Sequence, residues 1–347
     1  MVKNKRQILI TGITGQDGSY LAELYLHLGF AVHGLVRRGS SFNTQRIDHL
    51  ISGEKSNGKS LNLHYGDMTD GQSLSNLVAS IKPYAIFNLA AQSHVRISFD
   101  MPNYTFGVNN NGVLNLLEAV RVHSPESYLY QASTSELFGN SPSPQGIHTA
   151  FSPESPYAVS KLSAHELIRL WREAYGLQAI SGILFNHESY RRGENFVTKK
   201  IVRNASRIRN SINKGERHIP MLTLGNLEAK RDWGWAPEYV AAMSRIIEQN
   251  SYSDVVIGTG HSASVRQFAK MAFMNFDLNY EEWITYDEKY DRPVEVNDLR
   301  ADNSSIFELL NWTPKIHWKE INSLMCSQES NGYEDFINWD EILSEMN

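Results

Sequence analysis

The run Gln7-Ile8-Leu9-Ile10-Thr11 flows directly into Gly12-Ile13-Thr14-Gly15-Gln16-Asp17-Gly18, after which Tyr20, Leu21, Leu24 and Leu28 fall at helical spacing. That order predicts a buried strand, a glycine turn and a helix. The glycines permit a tight turn and the close approach of a pyrophosphate, whose charge meets the open amides of the helix's first turn. Gly12, Thr14, Gly15, Gln16, Asp17 and Gly18 are therefore expected around a dinucleotide. The spacing is Gly-x-x-Gly-x-x-Gly rather than Gly-x-Gly-x-x-Gly, so its weight comes from its place between strand and helix.

The rest of the first half alternates in the same way. Ala31–Val36, 61–67, 85–91, Tyr128–Ala132 and 177–185 read as strands, and 72–81, 108–122 and 155–175 as helices. Alternation of this kind predicts an α/β chain with a Rossmann-like, doubly wound parallel sheet. At 347 residues the chain is long for one core. We expect residues 1–190 to form the dinucleotide-binding domain, with late returning segments near 222–260. Residues 191–347 then form a smaller, mixed, interleaved substrate-binding domain. Val255–Ile257 reads as a strand returning to the main sheet, and the Ser/Pro/Gly-rich stretch 140–155 as a surface loop.

Composition excludes several classes of function. A net charge of −5 with no basic stripe argues against nucleic acid. The single cysteine, Cys326, excludes an internal disulfide, and no metal-ligand spacing is present. No apolar run approaches the ~18 residues of a membrane span, so a cytoplasmic chain working on a small molecule is expected.

Specific residues then point to chemistry. Arg37 and Arg38 close the second strand about 20 residues past the glycine turn, where an NAD site usually places an acid. A guanidinium there suits a 2′-phosphate, and Ser40 and Ser41 add hydroxyls, so NADP is the expected cofactor. Asp67, at the end of the third strand, is placed to reach an adenine amino group. Gln92 and Ser93 follow a central strand beside the cofactor's path, and His94 is expected to be structural. Tyr157 and Lys161 lie four apart just inside a helix opening with Ser155-Pro156, so both leave one helical face. A phenol is a poor base at neutral pH, and nearby positive charge is expected to lower its pKa. The pair suits removal of a proton from a sugar hydroxyl during hydride transfer. Thr134 and Glu136 follow a strand's carboxyl end. Thr134 can orient the reacting oxygen, whereas Glu136 is superfluous for alcohol oxidation and fits a second step, proton removal beside a new ketone followed by loss of hydroxide. Asn186-His187-Glu188-Ser189 closes another strand and is expected to touch ligand. Each motif is weak alone; their conjunction is specific.

Taken together, the glycine turn, Arg37, Thr134-Ser135-Glu136, Tyr157-x-x-x-Lys161, Asn186-His187-Glu188-Ser189, Arg191-Arg192-Gly193 and Arg231-Asp232-Trp233-Gly234 resemble the extended short-chain dehydrogenases/reductases. Within them they resemble the GDP-mannose 4,6-dehydratases, over nearly the whole chain. The resemblance implies an NADP that is reduced and reoxidised in each turnover, and conversion of GDP-mannose to GDP-4-keto-6-deoxymannose and water, toward GDP-deoxyhexoses. It implies that Asp67, Met68, Leu89, Ala90, Ala91, Gln92, Ser93, Tyr104, His187 and Arg192 line the cofactor, with Lys161 on the nicotinamide ribose. Asn186, Lys200, Arg231, Arg292 and Glu295 would contact the GDP-sugar, with Ser93 and Ser135 beside them. It also implies a homotetramer built from dimers through the loop after Arg37. Gly39, Ala90, Tyr190 and Trp235 stand where the family pattern has Ser, Gly, Pro and His, departures that bear on cofactor affinity rather than reaction type. The competing readings are a nucleotide-sugar epimerase, which needs no carboxylate at position 136, and a non-catalytic NADP-binding sensor.

Overall fold

The computed structural model describes residues 6–39, 43–51, 61–249, 253–331 and 337–346. In chain order the strands are β1 (Gln7–Thr11), β2 (Ala31–Val36), β3 (Leu61–Tyr65), β4 (Ala85–Asn88), β5 (Tyr128–Ala132), β6 (Ala179–Leu184), β7 (Asn186–Glu188), β8 (Leu222–Leu224), β9 (Lys230–Trp235), β10 (Val255–Ile257), β11 (Ser262–Ser264), β12 (Ile284–Tyr286) and β13 (Asp298–Leu299). Seven of them form one parallel sheet in the order β10-β6-β5-β4-β1-β2-β3. The alternation of helix and strand is the cause, since parallel neighbours need a crossover and the helices supply it. β10 pairs with β6 as the late returning strand.

Both faces of the sheet are covered, as parallel sheets require. Ile8, Ile10, Phe87 and Tyr130 face one core with the helices Gln16–His27 and Ala236–Ile246. Leu9, Ile86 and Leu129, offset by one residue, face the other with Gly71–Ile81 and Gly112–His123. The pleat's period of two produces that division. β9 anchors a second, smaller sheet, pairing with β7 and β13 in parallel and β11 antiparallel, while β8 pairs with β12.

Some boundaries differ from the sequence expectation. The third and fourth strands end at Tyr65 and Asn88, because the chain must leave the sheet there to open a crevice. The helix expected at 108–122 begins with a π-helical turn, Gly107–Asn111, before Gly112–His123. Stretch 140–155 is not simply a surface loop. Gln145 is fully buried, its side chain donating to the carbonyls of Ser141 and Asp298 and accepting from Arg300 N, and it bridges to Ala301. Among the described residues no helix is long and apolar enough to cross a membrane.

One buried carboxylate ties the two sheets together. Asp232 on β9, with no exposed surface, accepts from Thr259 N (3.0 Å), Thr259 Oγ1 (2.5 Å), Gly260 N (2.8 Å) and Ala301 N (3.1 Å). Asp232→Ala strands these donors, and unpaired buried groups cost ~1–3 kcal/mol each. Denaturant unfolding is expected to show a loss of about 3 kcal/mol or more; a loss below about 1 kcal/mol would contradict this account of the anchor.

Candidate active site

β1 and β4 are neighbours in the sheet, yet their crossovers leave in opposite directions, so a crevice opens at their carboxyl ends. The glycine turn fills its floor. Gly12 has φ +70°, and a Cβ there would stand 2.8 Å from Ala90 N; one at Gly18 would stand 2.3 Å from Gly12 O. Only glycine fits either place. The helix Gln16–His27 starts from Gly15 without a side-chain cap, which leaves its first-turn amides for an anion. Asp17 in that turn would repel a phosphate, but His187 Nε2 lies 2.8 Å from its carboxylate. Burial favours the neutral form of each, yet their mutual attraction wins, lowering the pKa of Asp17 and raising that of His187. A pyrophosphate therefore meets a neutralised site, and the residues present fit a dinucleotide.

The catalytic helix, Pro156–Tyr175, is started by Ser155, whose hydroxyl accepts from Ala158 N at 3.0 Å. Tyr157 N donates to Ser98 Oγ at 3.1 Å, which fixes the first turn. Asn109 in the π-helical turn donates to Ser160 Oγ and to Gln92 O while accepting from Gln92 N, so the strand exit after β4 is pinned to the same helix. Sequence reasoning missed Asn109 because it sits in what reads as an ordinary helix start.

A cavity of about 580 Å³ joins these parts. Gly12, Gly15, Gln16, Asp17, Gly18, Leu89, Ala91 and Ser93 line one end. Thr134, Ser135, Glu136, Tyr157, Lys161, Asn186, His187 and Arg192 line its middle, and Lys200, Arg231, Arg292 and Glu295 its far end. Thr14, Arg37, Arg38, Asp67, Met68, Ala90, Gln92 and Tyr104 stand outside that lining. Arg37 and Arg38 are exposed, and Arg37 donates to the Tyr104 hydroxyl. Asp67 accepts from Thr69 N and Oγ1, Met68 is packed against Gly112, and Thr14 O accepts from Arg46. Ser40 and Ser41 lie outside the described residues. His94, expected to be structural, caps the helix Val95–Asp100 through Nδ1 and also lines the cavity.

Electrostatics at the centre depart from the expected lowering of the tyrosine. Burial pushes the Tyr157 phenol up to about 12, against the hydrogen bond from Thr134 and the charge of Arg192. Lys161 directs its ammonium to Ala132 O, and burial brings it down to about 8. Desolvation thus outweighs charge proximity in the protein's own field. Glu136, 8% exposed, behaves oppositely. Burial favours its acid form, but Arg292 Nη1 at 3.0 and 3.2 Å from its two oxygens, with Arg231 behind, holds the carboxyl below its ordinary range. The site therefore offers a phenol hydrogen-bonded to a hydroxyl beside a carboxylate that is ionised at neutral pH, which suits successive proton removals from neighbouring sugar positions.

Residues 9–325 match the family model described as GDP-mannose 4,6 dehydratase. The chain belongs to the GDP-mannose 4,6-dehydratase family. It is 46% identical over 334 residues to GDP-mannose 4,6 dehydratase 1 of Arabidopsis thaliana, covering 95% of this chain and 91% of that one. It is 44% identical to the Homo sapiens GDP-mannose 4,6 dehydratase, covering 92% and 90%. Among solved structures, the UDP-glucose 4-epimerase of Thermotoga maritima superposes with a TM-score of 0.80 at 22% identity, over 94% of this chain and all of that one, and so shares the fold. Family membership sets aside the epimerase reading, and the dehydratase family is one of hydro-lyases that use NADP(H).

Two of the four departures from the GDP-mannose 4,6-dehydratase pattern touch each other. Tyr190 and Trp235 pack edge to face, ring centroids 5.1 Å apart at 80°. Ala90 keeps its backbone role, donating N–H to Thr11 Oγ1 at 3.2 Å, and Gly39 is exposed.

Removing Arg292 tests what keeps Glu136 ionised. Arg292 favours the carboxylate, so Arg292→Gln leaves burial to favour the acid, and the acidic limb of kcat/KM, which reports the free enzyme, is expected to move up by ~1 pH unit. An unmoved limb would mean that Arg292 does not set the ionisation of Glu136.

Proposed function

We propose that this chain dehydrates GDP-mannose to GDP-4-keto-6-deoxymannose. The observation that carries the reading is the Glu136 carboxylate in one buried cavity with the Thr134–Tyr157 pair. An alcohol oxidase needs the pair alone, and the carboxylate supplies the elimination.

When bound, NADP supplies a hydride acceptor that later gives the same hydride back, so nothing net is oxidised. Gly12, Gly15 and Gly18 would make room for its pyrophosphate beside the Asp17–His187 pair, and Arg37, which donates to the Tyr104 hydroxyl, would take the 2′-phosphate with Arg38. Asp67 and Met68 would hold the adenine, and Lys161 the nicotinamide ribose. Tyr157 is a phenol in the protein alone; the positive charge of a bound oxidised nicotinamide, added to that of Lys161, would favour its phenolate, whose Oη takes the proton of the mannose 4-hydroxyl while Thr134 Oγ1 orients that oxygen. Once C4 is a ketone the C5 proton is acidic, and Glu136 removes it; the resulting acid returns the proton to the departing C6 hydroxyl, which leaves as water, and the proton held on Tyr157 goes to C5 as C6 takes back the hydride. Arg231, Arg292 and Lys200 bring positive charge to the far end, where a diphosphate would lie, and Asn186, Glu295, Ser93 and Ser135 offer hydrogen bonds around it.

The division of labour between residues 1–190 and 191–347 follows from this arrangement, the first part holding the dinucleotide and most of the second the GDP-sugar. A homotetramer is part of the same reading. Val159 and Leu170, eleven residues apart and so on one face of the catalytic helix, are 41% and 46% exposed, apolar side chains that a second copy would cover. Light scattering is expected to give an assembly of four chains, and a monomer at all concentrations would refute it.

The chemical steps separate by mutation. Glu136→Gln keeps the shape of the site but removes the base, so mixing with GDP-mannose is expected to build a standing NADPH absorbance with little dehydrated sugar. Tyr157→Phe is expected to give neither. Loss of a general base costs ~10²- to 10⁴-fold, so near wild-type dehydration by Glu136→Gln would refute the mechanism.

A further inference from the structure

Side chains, rather than backbone alone, join the carboxyl ends of β1, β4 and β5. Thr11 Oγ1 donates to Asn88 Oδ1 at 2.5 Å, Asn88 Nδ2 to Gln131 Oε1 at 2.7 Å, and Gln131 Nε2 to Ala132 O at 2.8 Å. The same Ala132 oxygen accepts from Lys161 Nζ. The direction of the chain is set at its origin. Thr11 Oγ1 already accepts from Leu89 N and Ala90 N, both at 3.2 Å, so its one proton goes to Asn88. Each amide must then present its oxygen to the previous member and its nitrogen to the next.

Thr11 and Asn88 have no exposed surface and Gln131 has 2%. None of the three lines the cavity, so none is there to touch a ligand. Buried amides are tolerated when every partner is present, but apolar residues of the same shape would serve packing equally well, and the rest of β4 (Ala85, Ile86, Phe87) is apolar. What the polar chain gains is at its end, a carbonyl held toward the one ammonium of the catalytic helix that needs an acceptor. At its other end it holds the Leu89–Ala90 backbone against which Gly12 packs.

We propose that Thr11, Asn88 and Gln131 are positioning residues that aim the Ala132 carbonyl at Lys161 and so couple the placement of the glycine turn to that of the catalytic lysine. The proposal rests on the role given to Lys161 above. The ionisable groups facing Lys161 are Tyr157 one turn before it and His165 one turn after, both on its own helix, and Glu136 and Arg192 act on Tyr157 from across the cavity.

The test compares Gln131→Met, which deletes one link, with the double variant Asn88→Leu/Gln131→Met, which removes both amides and leaves neither half-paired. Both are expected to lose about tenfold or more in kcat, the cost of slight misplacement of a reacting group, with KM for GDP-mannose unchanged. In cofactor-free protein, the pH midpoint for acylation of Lys161, followed by mass spectrometry of its peptide, is expected to move down by about half a unit or more, because a buried ammonium has lost its aimed acceptor. Thr11→Ser, which keeps the hydroxyl, is expected to behave as wild type, and Thr11→Val to follow the deletions. A merely structural chain would lower the melting temperature of Gln131→Met while leaving kcat and the lysine midpoint at wild-type values, and that result overturns the proposal. Should the amide variants fail to fold, the Thr11→Ser and Thr11→Val pair decides by the same two readouts. A wild-type protein that dehydrates no sugar would refute the proposed reaction, yet the lysine titration would still judge the positioning chain.

Discussion

Two adjacent parallel strands whose connections leave in opposite directions have to part at their carboxyl ends, and the placement of every functional group here depends on that parting. β1 leads through the helix Gln16–His27 to β2 on one side, and β4 leads to β5 on the other. The crevice is narrow enough that Gly12 meets the backbone of Ala90, so no side chain can stand there. β5 then delivers Thr134 and Glu136, the catalytic helix delivers Tyr157 and Lys161, and the second sheet brings in Arg231 from β9.

Burial sets the protonation states within that crevice. The phenol is driven up, the ammonium down, and the carboxylate stays ionised because a guanidinium grips it. Isolated buried charges are costly, and three ion pairs offset that cost in this cavity: Asp17 with His187, Glu136 with Arg292, and Arg231 with Glu295 at 3.5 Å. The pairings leave an excess of positive charge along the lining, where Lys200 and Lys161 answer to backbone carbonyls rather than to carboxylates, and that excess suits an anionic ligand.

Much of this was legible in the sequence because it is written in short-range rules. The strand, glycine turn and helix at residues 7–27, and the four-residue interval between Tyr157 and Lys161, depend on neighbours a few positions away. What was not legible depends on distance. Glu136 and Arg292 are 156 residues apart in sequence, and the resemblance assigned Arg292 to the GDP-sugar with no hint that it grips the carboxylate. Gln145 sits in a stretch whose composition says surface, yet it is wholly buried because strand β13 and its neighbours complete its hydrogen bonds. Asn88 lies in the stretch 85–91, where a strand is expected and nothing marks its buried hydrogen bonds, and the phenol's shift has the sign opposite to the one expected, since burial depth cannot be read from spacing.

The contact between Tyr190 and Trp235 joins positions far apart in the chain. Where the resemblance sets Pro and His, this chain carries two rings that lie against each other. Edge-to-face ring pairs contribute ~0.5–1.5 kcal/mol beyond the area they bury, and that benefit exists only when both rings are present. The two positions are therefore coupled, and a change at one of them forfeits the benefit at both. Chimeras that exchange segments with relatives will inherit the same constraint, because a junction placed between residues 190 and 235 separates the pair.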